Sequence, residues 1–305
     1  MTTAVAAAAA PNRALIGIAC MLVASSLFPV MNGLVQILSE RYSTEQVVWA
    51  RAASHLMFIL GLFAPRFGVA ALLRTVTLKW QIVRSGVHLA SMLCFFTGVK
   101  YLPLAKAASI SFTTPFFVAL LAWPMLGERI TPRRLAAILV AFFGVLIVIR
   151  PGTEVFQWAS LFMLGSAVCY ALYQILTRRV ARHGDSAETS AVYSASVGTV
   201  VMGLVAPFAW TPIAGWADAA LLFSLGIIGG LGHYFVARAM IYAQANIIAP
   251  FGYWQLAGSV FVGYLISGYL PDAFTWIGAG IIVCAGVYIA WCEAREQPAL
   301  RTQRA

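Results

Sequence analysis

Charge is what this sequence of 305 residues has least of. Charged residues make up 10% of it and apolar residues 61%. Soluble domains run about half apolar and about a quarter charged, so an ordinary water-soluble domain is excluded. Acid is scarcer than base: ten carboxylates face twenty lysines and arginines, for a net charge of +10. Apolar–polar alternation is also missing. The apolar stretches are continuous and roughly 20 residues long, the length a helix needs to cross a hydrocarbon core, and the strand pattern of a barrel is not present. The five cysteines (Cys20, Cys94, Cys169, Cys284 and Cys292) fall inside apolar stretches without close pairing. They read as small packing residues rather than a disulfide framework or metal ligands. No His–Glu motif or acidic cluster gathers nucleophile, acid/base or metal-ligand groups, so the sequence reads as no enzyme, with no catalytic residues, no cofactor and no metal.

What is there is a polytopic, all-α membrane protein. Ten crossings are expected, at Leu15–Leu38, Gln46–Ala64, Trp80–Val99, Leu104–Leu126, Leu135–Ile149, Ala159–Leu176, Thr189–Trp210, Ala217–Tyr242, Ile247–Ser267 and Thr275–Trp291. Residues 1–13 are low in complexity and read as a mobile segment. Residues 293–305 read as a polar cytoplasmic tail. The first crossing is too long, and lacks the small-residue site, to read as a cleaved signal.

Basic residues in short loops set the expected orientation. With the N-terminus in the cytoplasm, that side carries Arg13, Arg66, Arg74, Lys79, Arg129, Arg133, Arg134, Arg178, Arg179 and Arg182, and the tail arginines. The other side carries Arg41, Lys100, Lys106 and Arg150. An even number of crossings returns the C-terminus to the cytoplasm. The positive charge is then topogenic and faces an anionic leaflet, with the lipid bilayer and no nucleic acid as its partner.

The chain also repeats itself. A shift of 142 residues lays Met21, Phe28 and Asn32 on Met163, Tyr170 and Gln174; a shift of 141 lays Phe112, Thr113 and Gly127 on Tyr253, Trp254 and Gly268. The two units, 14–150 and 151–292, hold five crossings each. Five is odd, so the second unit enters the membrane from the opposite side. Inverted repeats of this kind build many secondary transporters, with the substrate site near the midplane between the halves. Positions matched by the shift and carrying polar or aromatic groups are therefore expected to line a central cavity. They are Phe28, Asn32, His88, Ser91, Met92, Phe112, Thr113, Phe116, Tyr170, Tyr173, Gln174, His233, Tyr234, Tyr253 and Trp254. The second, fifth, seventh and tenth crossings are plainer and are expected to be scaffold. Pro115 and Pro250 break helices and, with Glu128 in the polar hinge after the fourth crossing, are expected to bend or gate. Glycines 226, 229, 230 and 232 are spaced for close helix packing.

The stretch FTTPFFVALLAWPMLGERITPRRLAAILVAFFGVLIVI, with Arg51 in the second crossing, resembles the EamA-type transporters of the drug/metabolite transporter superfamily. The marks are Pro115, the Gly127-Glu128-Arg129 turn and Gly144. In the second half the Gly-Glu pair becomes Gly268-Tyr269. The resemblance implies a ten-helix carrier of the bacterial inner membrane working by alternating access, usually as a metabolite exporter, and looks closest to exporters of aromatic and neutral amino acids. A similar branch takes up S-adenosylmethionine or related metabolites. Two halves in one chain suit a monomer, and a dimer is also compatible.

The charges narrow the substrate. All ten carboxylates fall in loops, tails or helix ends, whereas proton relays and cation partners usually lie within the membrane. A drug exchanger built on a buried glutamate is thereby disfavoured. No cluster of buried cations is visible for a multiply anionic substrate, and Arg51 reads as a snorkelling or paired arginine. Aromatic rings can stack on flat groups and hold an ammonium, and Asn32, Ser91, Thr113 and Gln174 can bond a zwitterion. The expected activity is facilitated or exchange transport, outward, of a neutral aromatic or hydrophobic amino acid or similar small molecule. The rivals are a carrier for S-adenosylmethionine or another nucleoside-like metabolite, and a channel.

Overall fold

The computed structural model describes residues 11–126, 131–153, 156–242, 248 and 251–302. The hinge residue Glu128 and the proline Pro250 lie outside them.

Helices account for nearly all the described residues. They are α1 (Pro11–Leu38), α2 (Thr44–Phe67), α3 (Val69–Leu73), α4 (Leu78–Tyr101), α5 (Leu104–Ser111), α6 (Thr114–Leu126), α7 (Pro132–Ile149), α8 (Ala159–Arg182), α9 (Ala187–Val205), α10 (Trp216–Tyr242), α11 (Trp254–Ser267) and α12 (Ala273–Thr302). Among the described residues, seven stretches are long and apolar enough to span a bilayer, α5 and α6 together making one of them; three shorter apolar helices, Leu135–Ile149, Trp254–Ser267 and Ala273–Ile289, bring the number to ten. In lipid, helices satisfy their own backbone groups, which is why continuous apolar runs take this form.

The packing pairs expose the inverted repeat. Count the crossings in order, with α5–α6 as the fourth. The first packs on the eighth (α1 on α10), and the third on the sixth (α4 on α8). Exchanging the two halves turns either pair into the other. The second on the eighth (α2 on α10) likewise matches the third on the seventh (α4 on α9), and the first on the ninth (α1 on α11) matches the fourth on the sixth (α5 and α6 on α8). The pairs α2–α9 and α7–α12 map onto themselves, so they lie on the pseudo-twofold axis.

Local sequence repeats this symmetry at the helix ends. Ser43 caps α2 by accepting from the Gln46 N–H, and Ser186 caps α9 by accepting from the Thr189 N–H. Each cap is followed two residues later by a glutamate, Glu45 or Glu188, placed where the helix dipole favours negative charge. Two buttresses mirror one another on opposite faces of the bundle. On one, Tyr42 donates its hydroxyl to Asp218 at 2.6 Å. On the other, Asp185 accepts from the Thr75 and Thr77 hydroxyls, the Val76 N–H and the Gln81 amide. Burial alone would raise the Asp185 carboxyl, but these four donors outweigh it and hold it down at about 2.

A depressed carboxyl stabilises the fold above its unfolded pKa of about 3.9 and loses that contribution as pH falls through the folded value. Thermal stability of the detergent-solubilised protein should therefore drop between about pH 4 and pH 2. Asp185→Asn should flatten that drop and cost about 1 kcal/mol at neutral pH, a value reduced for partial exposure. An unchanged melting profile for Asp185→Asn would remove the buttress from the account.

Glycines decide how close the helices come. Gly144 on α7 and Gly278 on α12 cross so tightly that a Cβ on Gly144 would lie 2.9 Å from the Gly278 carbonyl oxygen. On α10, a Cβ at Gly229 would approach the Arg51 guanidinium to 3.2 Å, and one at Gly232 would lie 2.7 Å from the Phe28 ring. The glycine stripe of α10 therefore brings α1 and α2, with Phe28 and Arg51, into the middle of the bundle.

Candidate functional site: an aromatic cavity with an unpaired arginine

A central cavity of about 350 Å³ lies between α1, α2, α4, α5–α6, α8 and α10. That volume is at the lower end of the range for small-molecule sites. Two broken helices shape it. The fourth crossing stops at Ser111, turns at Phe112 and Thr113, and restarts at Thr114. The ninth turns at Tyr253 and restarts at Trp254. Phe112 and Tyr253, matched by the 141-residue shift, meet with ring centroids 5.0 Å apart. Pro115, in the restarted helix, lines the cavity. Its missing N–H leaves a carbonyl without a helical donor; the freed turn is knitted instead by Thr113 and Thr114, whose hydroxyls donate to the Ile110 and Ser111 carbonyls.

Rings form the two facing walls. On the α4–α8 side His88 sits 4.5 Å from the Tyr173 ring and 6.3 Å from Tyr170, and the two tyrosines stack at 5.5 Å. On the α1–α10 side Phe28 meets His233 edge-on at 5.3 Å, and His233 stacks on His55 at 6.2 Å. Phe28 and Tyr170 are matched positions, so the two walls are related by the repeat, each built from one helix of either half. Ser91 bonds the Ser166 backbone and faces its hydroxyl at 3.2 Å. The Oδ1 of Asn32 is buried without a hydrogen-bond partner.

Two buried arginines differ in one decisive respect. Arg84, 1% exposed, is saturated by neutral oxygens. It donates to the Thr177 hydroxyl (2.9 Å), the Ser190 carbonyl (3.0 Å) and the Ser194 hydroxyl (3.0 Å), and its guanidinium lies 4.7 Å from the centre of the Tyr173 ring. It is a structural clamp of α4, α8 and α9. Arg51, 6% exposed, lines the cavity and faces the sulfurs of Met31 and Met92, with its guanidinium over the Phe96 ring at 5.9 Å from the centroid. Thioether sulfur is a weak acceptor. Among the described residues no oxygen accepts from Arg51, and no carboxylate pairs with it.

Of the residues expected to line the cavity, Phe28, Asn32, His88, Ser91, Met92, Phe112, Tyr170, Gln174 and His233 do so. Several do not. Thr113 and Phe116 are buried in helix packing. Tyr173 and Tyr253 stand behind the wall, one buttressing His88 and the other Phe112. Trp254 and Tyr234 turn outward, 53% and 38% exposed, and Trp254 donates from its indole to Ser26. The restart of α11 at Trp254 rotates that side chain off the cavity face. The second crossing is also not plain scaffold, since α2 supplies both Arg51 and His55. The missed signal was legible: the crossing carries one arginine and no acid after Glu45 to pair with it. Phe95, Phe96, Ser111, Thr114 and Gln255 complete the unforeseen wall.

This architecture is matched by known proteins. The profile of the EamA-like transporter family fits the chain twice, over residues 15–150 and 157–291. The chain belongs to the EamA-like transporter family. This EamA protein is therefore a transporter and not an enzyme. It is 28% identical to a riboflavin transporter of Rhizobium johnstonii over 288 residues, covering 94% of the chain and 95% of the relative. It is 32% identical to an S-adenosylmethionine uptake transporter of Rickettsia felis over 215 residues, covering 70% and 72%. It is 28% identical to the pseudopaline exporter CntI of Pseudomonas aeruginosa over 282 residues, covering 90% and 95%. A crystal structure superimposes with a TM-score of 0.63 at 19% identity over 93% of the chain and 99% of its own length, which supports the fold alone.

Proposed function

We propose that this EamA protein is a secondary carrier for a planar aromatic metabolite without net positive charge. Riboflavin or a similar fused heterocycle fits first, and a neutral aromatic amino acid second. The observation that carries the reading is Arg51: a buried guanidinium with no oxygen acceptor among the described residues, in one cavity with an Asn32 carbonyl that lacks a donor, between two aromatic walls. A desolvated charge costs several kcal/mol unless it is paired, and a substrate can provide the partner. The pyrimidine edge of a flavin carries two carbonyls beside one N–H. The carbonyls suit Arg51, the N–H suits Asn32, and the flat rings suit His88, Tyr170, Phe28 and Phe112. Likeness over nearly the whole chain to a riboflavin transporter agrees with this.

The amino-acid reading keeps support from the same pair, since Arg51 and Asn32 suit a carboxylate and an ammonium. S-adenosylmethionine carries net positive charge, and a cavity holding an unpaired arginine repels it. In this reading the carrier rocks about the breaks at Phe112 and Tyr253, with the N-terminus cytoplasmic, and moves its substrate down the gradient. The described carboxylates occupy loops and helix ends, for example Asp185, Asp218 and Asp272, which favours facilitated transport or exchange over a carboxylate proton relay.

A proteoliposome uptake screen tests this. Labelled riboflavin, tryptophan and S-adenosylmethionine are offered separately, with and without an imposed pH gradient. Riboflavin or tryptophan should enter at rates insensitive to the gradient. Uptake of S-adenosylmethionine matching theirs would refute the charge argument, and a strict need for the gradient would refute the facilitator.

A further inference from the structure

A second cavity of about 560 Å³ opens at one end of the bundle, between the α4–α5 turn, the end of α7 and the α11–α12 turn. It is larger than the central cavity and differently built. Its wall carries three cations, Lys100, Lys106 and Arg150, and one carboxylate, Asp272. That carboxylate is already engaged. It accepts from the Arg150 guanidinium and, at 2.9 Å, from the Thr275 N–H at the start of α12. The Arg150 Nε remains buried without a partner.

Lys106 is the unusual member. It is 6% exposed, on a helix whose residues Leu104 to Ile110 are all buried. Its ammonium makes no hydrogen bond to any described residue and faces the cavity, leaving three donors open to a ligand there. Its aliphatic stem is packed away while its charged end is turned to the cavity rather than to the outer surface. The position within the path adds a reason to keep it. One face of α5 puts Ala108 and Ser111 on the central cavity, while Leu104, Ala105 and Lys106 line the second one. A single short helix separates the two spaces.

We propose that this vestibule is a second, anion-selective site, in which Lys106 holds the carboxylate or phosphate of a soluble small molecule one helix away from the central cavity. It stands independently of the central-site substrate.

Binding of benzoate and of its neutral analogue benzyl alcohol to the full chain in phosphatidylcholine nanodiscs, followed by ligand-observed NMR, tests it. Lys106→Gln should weaken benzoate binding at this site about ten-fold, the worth of one charged hydrogen bond, and leave benzyl alcohol unchanged. Lys106→Arg should keep the benzoate affinity within about three-fold. Asp272→Asn, which preserves the helix cap, should tighten benzoate about three-fold by removing a like charge. It serves as the second readout if Lys106→Gln fails to fold. Arg51→Gln should leave this Lys106-dependent binding in place, so loss of the central site and loss of the vestibule are told apart. Adding phosphatidylglycerol to the nanodiscs should not displace benzoate. Displacement would assign the site to a lipid headgroup and overturn the proposal for a soluble anion. Equal benzoate binding by wild type and Lys106→Gln, or no change with Asp272→Asn, would overturn it altogether.

Discussion

Arg51→Met should weaken binding of the carried substrate strongly while raising the thermal midpoint of the substrate-free protein. The two effects have one cause. The guanidinium is desolvated among Met31, Met92 and Phe96 with no oxygen acceptor among the described residues, which opposes folding. A methionine fits that sulfur-lined pocket and removes the unpaired charge, and stabilisation by about 1–2 kcal/mol is expected. The same charge is what an acceptor-bearing substrate meets. Its removal should weaken binding by about 2–3 kcal/mol, or roughly 30- to 150-fold. Arg51→Lys should recover part of this, since an ammonium keeps the charge but not the planar fork. Arg84→Met should behave in the opposite way. It strips donors from Thr177, Ser190 and Ser194 and should lower the midpoint. Scanning fluorimetry with and without ligand reads both. A lower midpoint for Arg51→Met, with affinity unchanged, would make Arg51 a structural residue.

Gly226→Leu should prevent the protein from assembling. A Cβ on Gly226 would lie 2.6 Å from the Ser54 carbonyl carbon, and backbone cannot swing aside as a side chain can. Gly226 also donates its N–H to the Ser54 hydroxyl at 3.1 Å, so α2 and α10 touch main chain to main chain. Overpacking of this kind costs about 3 kcal/mol or more. Because α2 carries Arg51 and His55, any survivor should also lose transport. Gly86→Leu and Gly280→Leu are matched controls on α4 and α12. Nothing lies within 4 Å of a Cβ at either, and a helix interior favours leucine over glycine by about 0.8 kcal/mol. Both should give monodisperse, active protein in size-exclusion chromatography. Equal yields from Gly226→Leu and the controls would refute close packing as the device that seats α2.

The fold was largely legible because lipid imposes one rule: apolar runs of about 20 residues become helices. Most of the ten crossings appear within a few residues of their expected ends, but the last helix runs on to Thr302, through most of the stretch expected to be a tail, and two crossings are broken. The apolar run of the ninth is continuous from Ile247, yet a helix restarts at Trp254. The fourth, likewise continuous in sequence, turns at Phe112 and Thr113. Composition hides such breaks, since the residues at the turn are as apolar as their neighbours, and Pro115 marks only one of them.

The site was legible where symmetry and side-chain direction agree. Phe28 and Tyr170, or Asn32 and Gln174, sit on long regular helices, and the 142-residue shift carries both position and facing. Trp254 shows where the inference fails. The shift matches it to Thr113, but neither residue lines the cavity: Thr113 lies in a turn and Trp254 directly after one. Phe112 and Tyr253 mark the turns themselves and meet each other. Arg51 illustrates a different failure. A lone intramembrane arginine invites the reading of a snorkelling charge, and only the packed bundle shows its guanidinium held inside beside two sulfurs. The same comparison separates Arg84, whose neutral acceptors come from α8 and α9, far away in sequence.

The central claim is that transport runs through the aromatic cavity with Arg51 at the polar end of the substrate. The most direct test is a cryo-EM structure of the full chain in a nanodisc with riboflavin, or with whichever compound the uptake screen selects. The account predicts ring density between Tyr170 and Phe28, its acceptor edge within hydrogen-bond distance of the Arg51 guanidinium and its donor at the Asn32 carbonyl. Density confined to the vestibule beside Lys106, with Arg51 still facing only Met31 and Met92, would contradict it.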